Sequence, residues 1–456
     1  MDRLPVVLLH GYGARARSLL RWRDELVARG YEATDVHLSE FVSLSNEITI
    51  KDIAEGFDRA LRVRAGLGAE EPFDAIVHST GGLVIREWLA TYGSRRRRLK
   101  RLVALAPATF GSPLAHKGRS WLGAMFRGER ELGPDFMEAG QLVLSGLELG
   151  SRYTWELAHR DLLADEPIYD ESPDSPFPFV FIGLGDYGIL RRVLVNADGS
   201  DGTVRWSAAG FNTRKLVLDL TREPGAGTPT AVRVAPWHNT HIPLVLVPDV
   251  NHAKILADPP RELVDMVVAA LKVGDHGDYR AWRERYSTTA GDRLKQIRQD
   301  RWQQFVVRAV DERGDPIPDY YIEVGSGTAD DFQILEDFQL DVHPYADDPS
   351  FRCFHVNLSR LDPAARETLS LRLTAISGTE LVGYHGRGSE TFTAEGDEPR
   401  ETGKWDARIE LTPFLRDSEV RFFFPYTTTL VEIRLNREPM PPAPLANRLL
   451  SFVDET

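Results

Sequence analysis

Ser79 has the setting of a nucleophile. It lies between an apolar strand-like run and a helical pattern, in the hexapeptide Val-His-Ser-Thr-Gly-Gly at residues 77–82. A serine in a sharp strand-to-helix turn projects its hydroxyl from the carboxyl end of the sheet, and the next N–H points toward the substrate oxygen. Gly81 and Gly82 allow strand and helix to approach, whereas this motif usually has glycine in place of Val77. The pattern indicates acyl transfer; the alternative is that Ser79 only caps the helix.

The loop at residues 9–13, after the first apolar run, is the candidate for the second oxyanion donor. It reads Leu-His-Gly-Tyr-Gly. We expect the backbone N–H groups of Tyr12 and Thr80 to stabilise the oxyanion that develops during acyl transfer. His10 and Gly11 are expected to line the substrate site. The alternative is an ordinary glycine-rich turn between a strand and a helix.

Asp201 is the candidate acid that would orient a catalytic imidazole. It lies in a loop rich in Asp and Gly, residues 196–204, after a predicted strand. Asp198 and Asp186 are competing candidates. The composition of the loop is also explained by turn formation alone.

His252 is the candidate base, because it follows a predicted strand and precedes a predicted helix. An imidazole in this place accepts the serine proton and then donates it to the leaving alcohol. The resulting order, Ser79, Asp201, His252, is one of the known orders of a Ser-Asp-His triad. His241 and His238 lie nearby and are the alternatives.

A parallel sheet is needed to hold these residues. Over the first 272 residues, short apolar runs alternate with helical patterns, which predicts a parallel sheet covered by helices on both faces. The predicted strands lie at residues 6–9, 73–77, 102–105, 179–182, 216–218 and 244–247, and the predicted helices include 19–29, 57–63 and 83–92.

A long insertion separates the strands near Leu105 and Phe179. About 70 residues lie between them, far beyond an ordinary connection. We predict that residues 108–177 form a helical lid and that Trp121 and Phe126 contribute to substrate binding. The alternative is an insertion packed on the edge of the sheet.

The sequence pattern changes after residue 274. Residues 275–301 are highly charged and predict a helical connector. From residue 302 to residue 456, short segments with alternating apolar residues predict an antiparallel β-sandwich. The predicted domains are therefore residues 1–274, 275–301 and 302–456.

Residues 4–272 resemble the bacterial lipase and esterase branch of the α/β-hydrolases, and are similar to the lecithin–cholesterol acyltransferase-like and inositol-deacylase-like lipases. The resemblance is carried by the blocks at residues 10–12, 78–82, 105–115 (with Gly111-Ser112-Pro113), 200–204 and 251–252. It implies an α/β-hydrolase fold with a mostly parallel sheet and a lid, followed here by the β-sandwich.

The resemblance also implies hydrolysis of carboxylic esters, acyl lipids included, by Ser79, Asp201 and His252 without a metal or an organic cofactor. Phospholipids are among the expected substrates. Two alternatives stay open: an acyltransferase with the same triad, and a non-catalytic protein that binds a lipid or a partner on this scaffold. The sandwich is expected either to dock on a lipid surface or to shape the active site.

Composition excludes some classes of function. The net charge of −13 argues against nucleic acid as a partner. Cys353 is the single cysteine of the sequence, so no internal disulfide can form. No run of about 18 apolar residues predicts a membrane span, and the first residues lack a signal-peptide pattern. We therefore expect a cytoplasmic protein, or one exported by a route that leaves no mark in this sequence.

Two charged segments, one rich in arginine and one rich in aspartate, do not by themselves predict a binding site. The run Arg95-Arg96-Arg97-Arg98 could meet anionic lipid, but it is more typical of a solvated helix end. Six aspartates between residues 330 and 348 lack the regular spacing of a calcium loop.

Overall fold

The computed structural model describes most of the chain. The described residues are 3–10, 16–36, 48–92, 97–115, 141–166, 168–169, 171–185, 198–221, 232–234, 241–288, 299–327, 332–335, 338–341, 345, 348–362, 368–379, 382–386, 404–411 and 422–439.

The chain folds into two compact units. The first comprises Met1–Thr213, Trp237–Trp302 and Pro425–Thr428, and the second comprises Arg214–Pro236, Gln303–Phe424 and Thr429–Thr456. Each unit is therefore assembled from three segments that are not continuous in the sequence. The predicted division at residues 274 and 301 differs from them, since the segment 276–286 lies in the first unit and the segment 214–236 in the second.

Helices and strands alternate in the first part of the chain. In order they are β1 (Val6–Leu9), α1 (Ala16–Ala28), β2 (Ala33–Val36), α2 (Ile50–Val63), β3 (Phe73–His78), α3 (Gly81–Thr91), β4 (Leu99–Leu105), α4 (Gln141–Leu147), α5 (Arg152–Arg160), β5 (Phe177–Gly183), α6 (Trp206–Ala209), β6 (Thr213–Asp219), β7 (Val232–Val234), β8 (Leu244–Val247), α7 (Lys254–Ala257), α8 (Arg261–Ala270) and α9 (His276–Tyr286).

Strands dominate the rest. They are β9 (Trp302–Asp311), β10 (Tyr320–Ser326), β11 (Gln333–Ile334), β12 (Phe338–Asp341), β13 (Phe351–Asn357), β14 (Leu369–Ile376), β15 (Val382–His385), β16 (Lys404–Glu410) and β17 (Thr428–Pro439).

A parallel sheet forms the core of the first unit. Among the described residues its strand order is β2-β1-β3-β4-β5-β8, and every described pairing in it is parallel. All residues of β1, β3 and β8 are buried, because helices cover both faces of such a sheet. Buried strands of this kind read as uninterrupted apolar runs, which is why the sequence predicted them.

Local signals set the limits of the helices. At the start of α2, Thr49 and Asp52 form a reciprocal capping box. After α1, Gly30 has a φ of 80°, and its N–H donates to the carbonyl of Val27. Glycine adopts this left-handed conformation at little cost, and helix α1 ends just before it, close to the predicted end at residue 29.

Helix α9 packs on the parallel sheet. The ring of Trp282 lies 4.6 Å from that of Phe179 in β5, and the hydroxyl of Tyr279 donates to the carbonyl of Pro178. The sequence predicted this segment as part of a charged connector. Its two buried aromatic residues, spaced three apart, make it part of the first unit instead.

The second unit is built from two antiparallel sheets. One has the order β11-β10-β14-β16; the other has the order β12-β13-β9-β17-β6-β7, and β15 also pairs with β17. Inward side chains of both sheets, such as Val307 of β9, Ile322 of β10 and Ile433 of β17, share one hydrophobic core. Two sheets around a common core form a β-sandwich, which confirms the predicted fold class for this part of the chain.

The strand at residues 216–218 was predicted in the wrong sheet. We expected it to continue the parallel series, but β6 pairs antiparallel with β7 and lies in the sandwich. Leu216 and Leu218 point into the sandwich core, while the alternate residues Lys215, Val217 and Asp219 are only partly buried. This period of two is typical of a half-buried strand. A three-residue apolar run is too short to show it, so periodicity could not assign the strand.

None of the described helices combines the length and the apolar character that a membrane crossing requires.

Candidate active site

Ser79 occupies a strained turn at the carboxyl end of the parallel sheet. It lies between β3 and α3 and has a φ of 55°, a left-handed conformation that non-glycine residues rarely adopt. Two backbone hydrogen bonds hold it there: its N–H donates to the carbonyl of Leu105, and its carbonyl accepts from the N–H of Ala108, each at 3.2 Å. Strain of this kind persists only where the surroundings enforce it, and it is concentrated at functional sites.

The glycines after Ser79 make room for the turn. A Cβ at position 81 would lie 2.8 Å from the carbonyl oxygen of Leu9, and a Cβ at position 82 would lie 2.7 Å from the Cβ of Pro107. Helix α3 can therefore begin against the end of β1 and against Pro107, which follows β4, only with glycine at these positions. Val77, the residue that departs from the motif, is buried within β3 between its register partners Leu9 and Ala104.

Ser79 is not the N-cap residue of α3, as the alternative explanation for this serine would require. The N-cap residue is Thr80, and its side chain makes no capping hydrogen bond. The N–H of Gly82 bonds to the backbone carbonyl of Ser79. Backbone groups thus close this end of the helix.

The predicted oxyanion loop begins beside α3. His10 is buried directly after β1, and its carbonyl oxygen lies 3.3 Å from where a Cβ of Gly81 would be. Thr80, the residue of the first expected donor, is also buried. The remaining predicted residues of this region, namely Gly11, Tyr12, Trp121 and Phe126, lie outside the described residues.

Asp201 and His252 are in direct contact. Oδ2 of Asp201 lies 2.8 Å from Nδ1 of His252, and the N–H of His252 also donates to the carbonyl of Asp201 at 3.0 Å. Oδ1 of Asp201 accepts from the N–H groups of Thr203 and Val204 at 3.0 and 2.8 Å. Because a carboxylate can only accept, Nδ1 of His252 carries a proton, and Nε2 is the ring nitrogen left for proton transfer.

The alternative acids and bases differ from this pair in their surroundings. Asp198 lies on the same loop as Asp201 but is exposed, whereas Asp201 is fully buried. His241 is also exposed, and its carbonyl accepts from Arg283. The other two candidates, Asp186 and His238, lie outside the described residues.

His78 is a buried neighbour of His252 that the sequence-based reasoning missed. Its Nε2 donates to the backbone carbonyl of His252 at 3.0 Å, and the two rings lie 4.7 Å apart. Nδ1 of His78 is buried and finds no partner among the described residues. Burial lowers the pKa of His78 well below 6.5, and the neighbouring His252 and His10 lower it further. A histidine next to the candidate serine, at the end of a buried strand, was the available signal.

Ser112 ties the start of the long insertion to the loop of Asp201. Its hydroxyl donates to the carbonyl of Thr203 at 2.6 Å. The preceding Gly111 has a φ of 84°, and a Cβ there would lie 2.3 Å from the carbonyl oxygen of Glu148. Gly111 and Ser112, which belong to one of the blocks that carry the resemblance, therefore connect the start of the long insertion to the loop of Asp201.

The structure groups no three potential metal ligands among the residues that it describes. Of the six aspartates considered for calcium, Asp348 bonds to Ser350, and the side chains of the others lie outside the described part of the chain.

The fold of the whole chain is similar to that of phospholipase PlaB from Legionella pneumophila. One PlaB structure superposes with a TM-score of 0.75 at 21% identity, over 99% of this chain and 96% of that chain. A PlaB structure in complex with thio-NAD gives a TM-score of 0.74 at 20% identity, with the same coverage. This likeness confirms the α/β-hydrolase fold followed by an antiparallel β domain. At such low identity it establishes the fold alone.

A structure of the lipase BlEst2 from Bacillus licheniformis covers 59% of this chain and 93% of its own at 15% identity, with a TM-score of 0.37 that is too low to argue from. No family model matches the chain, and no curated protein matches it. The lecithin–cholesterol acyltransferase-like branch named from the sequence stays a prediction.

Proposed function

We propose that this chain is a serine hydrolase that cleaves carboxylic esters of lipids through an acyl-enzyme. The observation that carries the proposal is the buried hydrogen bond between Asp201 and His252 at the carboxyl edge of a sheet where Ser79 occupies a strained turn. The positive φ of a non-glycine residue at this turn agrees with the nucleophile geometry of the α/β-hydrolase fold.

In this mechanism, Nε2 of His252 accepts the proton of the Ser79 hydroxyl while Oγ attacks the ester carbonyl. Asp201 keeps the imidazole in the required tautomer and stabilises the imidazolium that forms. The N–H of Thr80 and the expected N–H of Tyr12 stabilise the oxyanion. The imidazolium then donates its proton to the leaving alcohol. Water next attacks the carbonyl of the acyl-enzyme while His252 accepts its proton. His252 then returns that proton to Oγ of Ser79, which releases the carboxylic acid.

Phospholipids are the substrates to test first. PlaB, which shares the fold over nearly the whole chain, is a phospholipase. The predicted lid at residues 108–177, with its apolar Trp121 and Phe126, would suit an acyl chain. An enzyme of this kind works at a lipid surface, so peripheral contact with lipid is part of the proposal.

A fluorophosphonate probe tests the nucleophile directly. We expect the wild-type protein to be labelled in a 1:1 ratio and Ser79→Ala not to be labelled, because the probe reacts with an activated serine. Ser172→Ala is the matched control: Ser172 lies before β5 and bonds to Ser175, so its loss should leave labelling intact. A folded wild-type protein that the probe does not label would exclude a serine hydrolase.

Substrate assays then separate the reaction classes. Vesicles of phosphatidylcholine and of phosphatidylglycerol, and nitrophenyl esters with short and long acyl chains, should release fatty acid in a Ser79-dependent manner. If the protein releases no fatty acid to water and forms a new ester only when an alcohol is added, it is a transferase and the hydrolase proposal is overturned.

A further inference from the structure

Two pieces of chain that are remote in sequence pack around the loop of Asp201. That loop, residues 198–210, is here called the acid loop. The two pieces are Trp302 and residues 425–428, and both belong to the first compact unit. The chain that follows Trp302 and the chain on both sides of residues 425–428 belong to the second unit. The first unit therefore includes a short segment, residues 425–428, whose neighbours on both sides in the sequence belong to the second unit.

Trp302 lies flat against the start of the acid loop. A Cβ at Gly199 would lie 2.7 Å from both Cγ and Cδ2 of the Trp302 indole. Gly199 also has a φ of 70°, so two independent features require glycine here. Its carbonyl accepts from the N–H of Trp206 at 2.8 Å, which closes the loop on itself.

The residues 425–428 contact the other end of the loop. The buried hydroxyl of Thr428 donates to the carbonyl of Ser207 at 2.9 Å, and the carbonyl of Thr428 accepts from the hydroxyl of Thr213 at 2.6 Å. The N–H of Tyr426 donates to the carbonyl of Trp302 at 2.6 Å, which joins the two pieces. We call Trp302, Tyr426 and Thr428 the acid-loop clamp.

The acid loop needs such support because regular structure provides little. Apart from α6, which is a single turn, and one isolated β-bridge between Ser200 and Arg205, it consists of turns and bends. The carboxylate of Asp201 nevertheless has to meet Nδ1 of His252, and a catalytic group displaced by about 0.5–1 Å loses much of its effect. Within the loop, only backbone N–H groups orient Oδ1. The position of the loop as a whole depends on what packs against it.

We propose that the acid-loop clamp positions Asp201 for catalysis, so that residues far beyond Asp201 in the sequence complete the active site. This inference rests on the proposed function. The clamp residues do not touch the reacting atoms; they are positioning residues that act through the loop. Loosening the clamp should therefore lower kcat and leave KM nearly unchanged, because substrate binding does not depend on the Asp201 contact.

Thr428 and its neighbour Thr429 offer a matched pair for the test. Both are fully buried. The hydroxyl of Thr428 bonds to the acid loop, whereas that of Thr429 accepts from Gln303 in the second unit. We expect Thr428→Val in the full-length protein to lower kcat about tenfold with KM within twofold. Thr429→Val should lower the Tm comparably and leave kcat unchanged, and Thr428→Ser, which keeps the hydroxyl, should restore most of kcat.

Each kcat is to be divided by the number of sites that the fluorophosphonate titrates. A purely structural role for Thr428 would reduce the titrated fraction but not the rate per titrated site. If Thr428→Val and Thr429→Val show the same rate per site as wild type, the inference is overturned. If Thr428→Val does not fold, the same measurement is made on Trp302→Phe, for which we expect a several-fold loss of kcat per titrated site. Absence of labelling in the wild type would instead refute the proposed function, so the two failures are distinguishable.

Discussion

Asp201 and Asp161 are both fully buried in the first unit, and they differ in what they face. Asp201 directs Oδ2 to the imidazole of His252 and Oδ1 to two backbone N–H groups. Asp161 is held by Arg86 through two hydrogen bonds, from Nε at 2.7 Å and from Nη2 at 3.0 Å. Both carboxylates satisfy the rule that a buried charge is paired and hydrogen-bonded. The difference lies in the partner.

A guanidinium is charged at every relevant pH, whereas an imidazole is charged only after it accepts a proton. The Arg86–Asp161 pair is therefore a fixed contact. Arg86 also donates to the carbonyl of Thr109 at 2.7 Å, so the pair connects the beginning of the long insertion to a residue near its end. The Asp201–His252 pair strengthens when a proton arrives, which is what general base catalysis requires. The same residue type thus stabilises the fold in one region and is suited to chemistry in the other.

Replacing Asp201 by Asn tests the chemical side of this comparison and should have the largest effect. The amide presents a donor to Nδ1 of His252 and favours the wrong tautomer, so we expect kcat to fall by about 10³–10⁴-fold. The change is nearly isosteric, and the protein should stay folded. Initial rates of ester hydrolysis and a urea unfolding curve measure the two effects. Activity within tenfold of wild type would show that another group, such as Asp198, serves as the acid.

Replacing Asp161 by Asn tests the structural side. It leaves the buried guanidinium of Arg86 without its counter-charge, and removing one partner of a buried pair costs about 3–5 kcal/mol of the free energy of unfolding. The rate per titrated site should stay close to wild type. Equilibrium unfolding in urea together with fluorophosphonate titration measures both quantities. A catalytic loss without a loss of stability would invalidate the distinction between the two carboxylates.

Helix α5 supplies a control for this change. Glu156 pairs with Arg152 at 2.7 Å, but both side chains are about half exposed. Exposed pairs of this spacing contribute about 0.3–0.5 kcal/mol, so Glu156→Gln should hardly alter the unfolding curve. Replacing both buried partners with apolar residues, as in Arg86→Met with Asp161→Leu, should recover most of the loss, because no unpaired charge stays buried.

The two regions also differ in how far the sequence could predict them. Ser79, Asp201 and His252 each follow a predicted strand, and parallel strands bring such positions to one edge of a sheet. Proximity of Asp201 and His252 was therefore predictable, although their hydrogen bond was not. Arg86 gives no comparable signal: a single arginine in an apolar helix is equally typical of a side chain that extends to solvent. Its partner lies 75 residues away.

Contacts across long distances in the sequence account for most of what was missed. The clamp residues Trp302 and Thr428 lie 103 and 221 residues from Gly199 and Ser207, the positions that they contact. Nothing in the local pattern around them indicates such partners. The strand at residues 216–218 was misplaced for a related reason, since pairing partners decide which sheet a short apolar run joins.

His78 extends the comparison to pH. The folded protein keeps this buried imidazole neutral, because burial lowers its pKa well below 6.5, while in the unfolded chain it binds a proton below about pH 6.5. The unfolded state thus binds more protons, and the free energy of unfolding should fall by up to about 1.4 kcal/mol for each pH unit below 6.5. The Arg86 guanidinium, in contrast, does not titrate in this range.

His78→Gln should remove this contribution while it keeps a donor for the carbonyl of His252. Urea unfolding at pH 7.5, 6.5 and 5.5 measures the slope for wild type and variant, and the difference between the slopes isolates His78 because the other titrating groups are shared. We expect a shallower slope for the variant. Equal slopes would mean that His78 takes up its proton in the folded state as readily as in the unfolded chain.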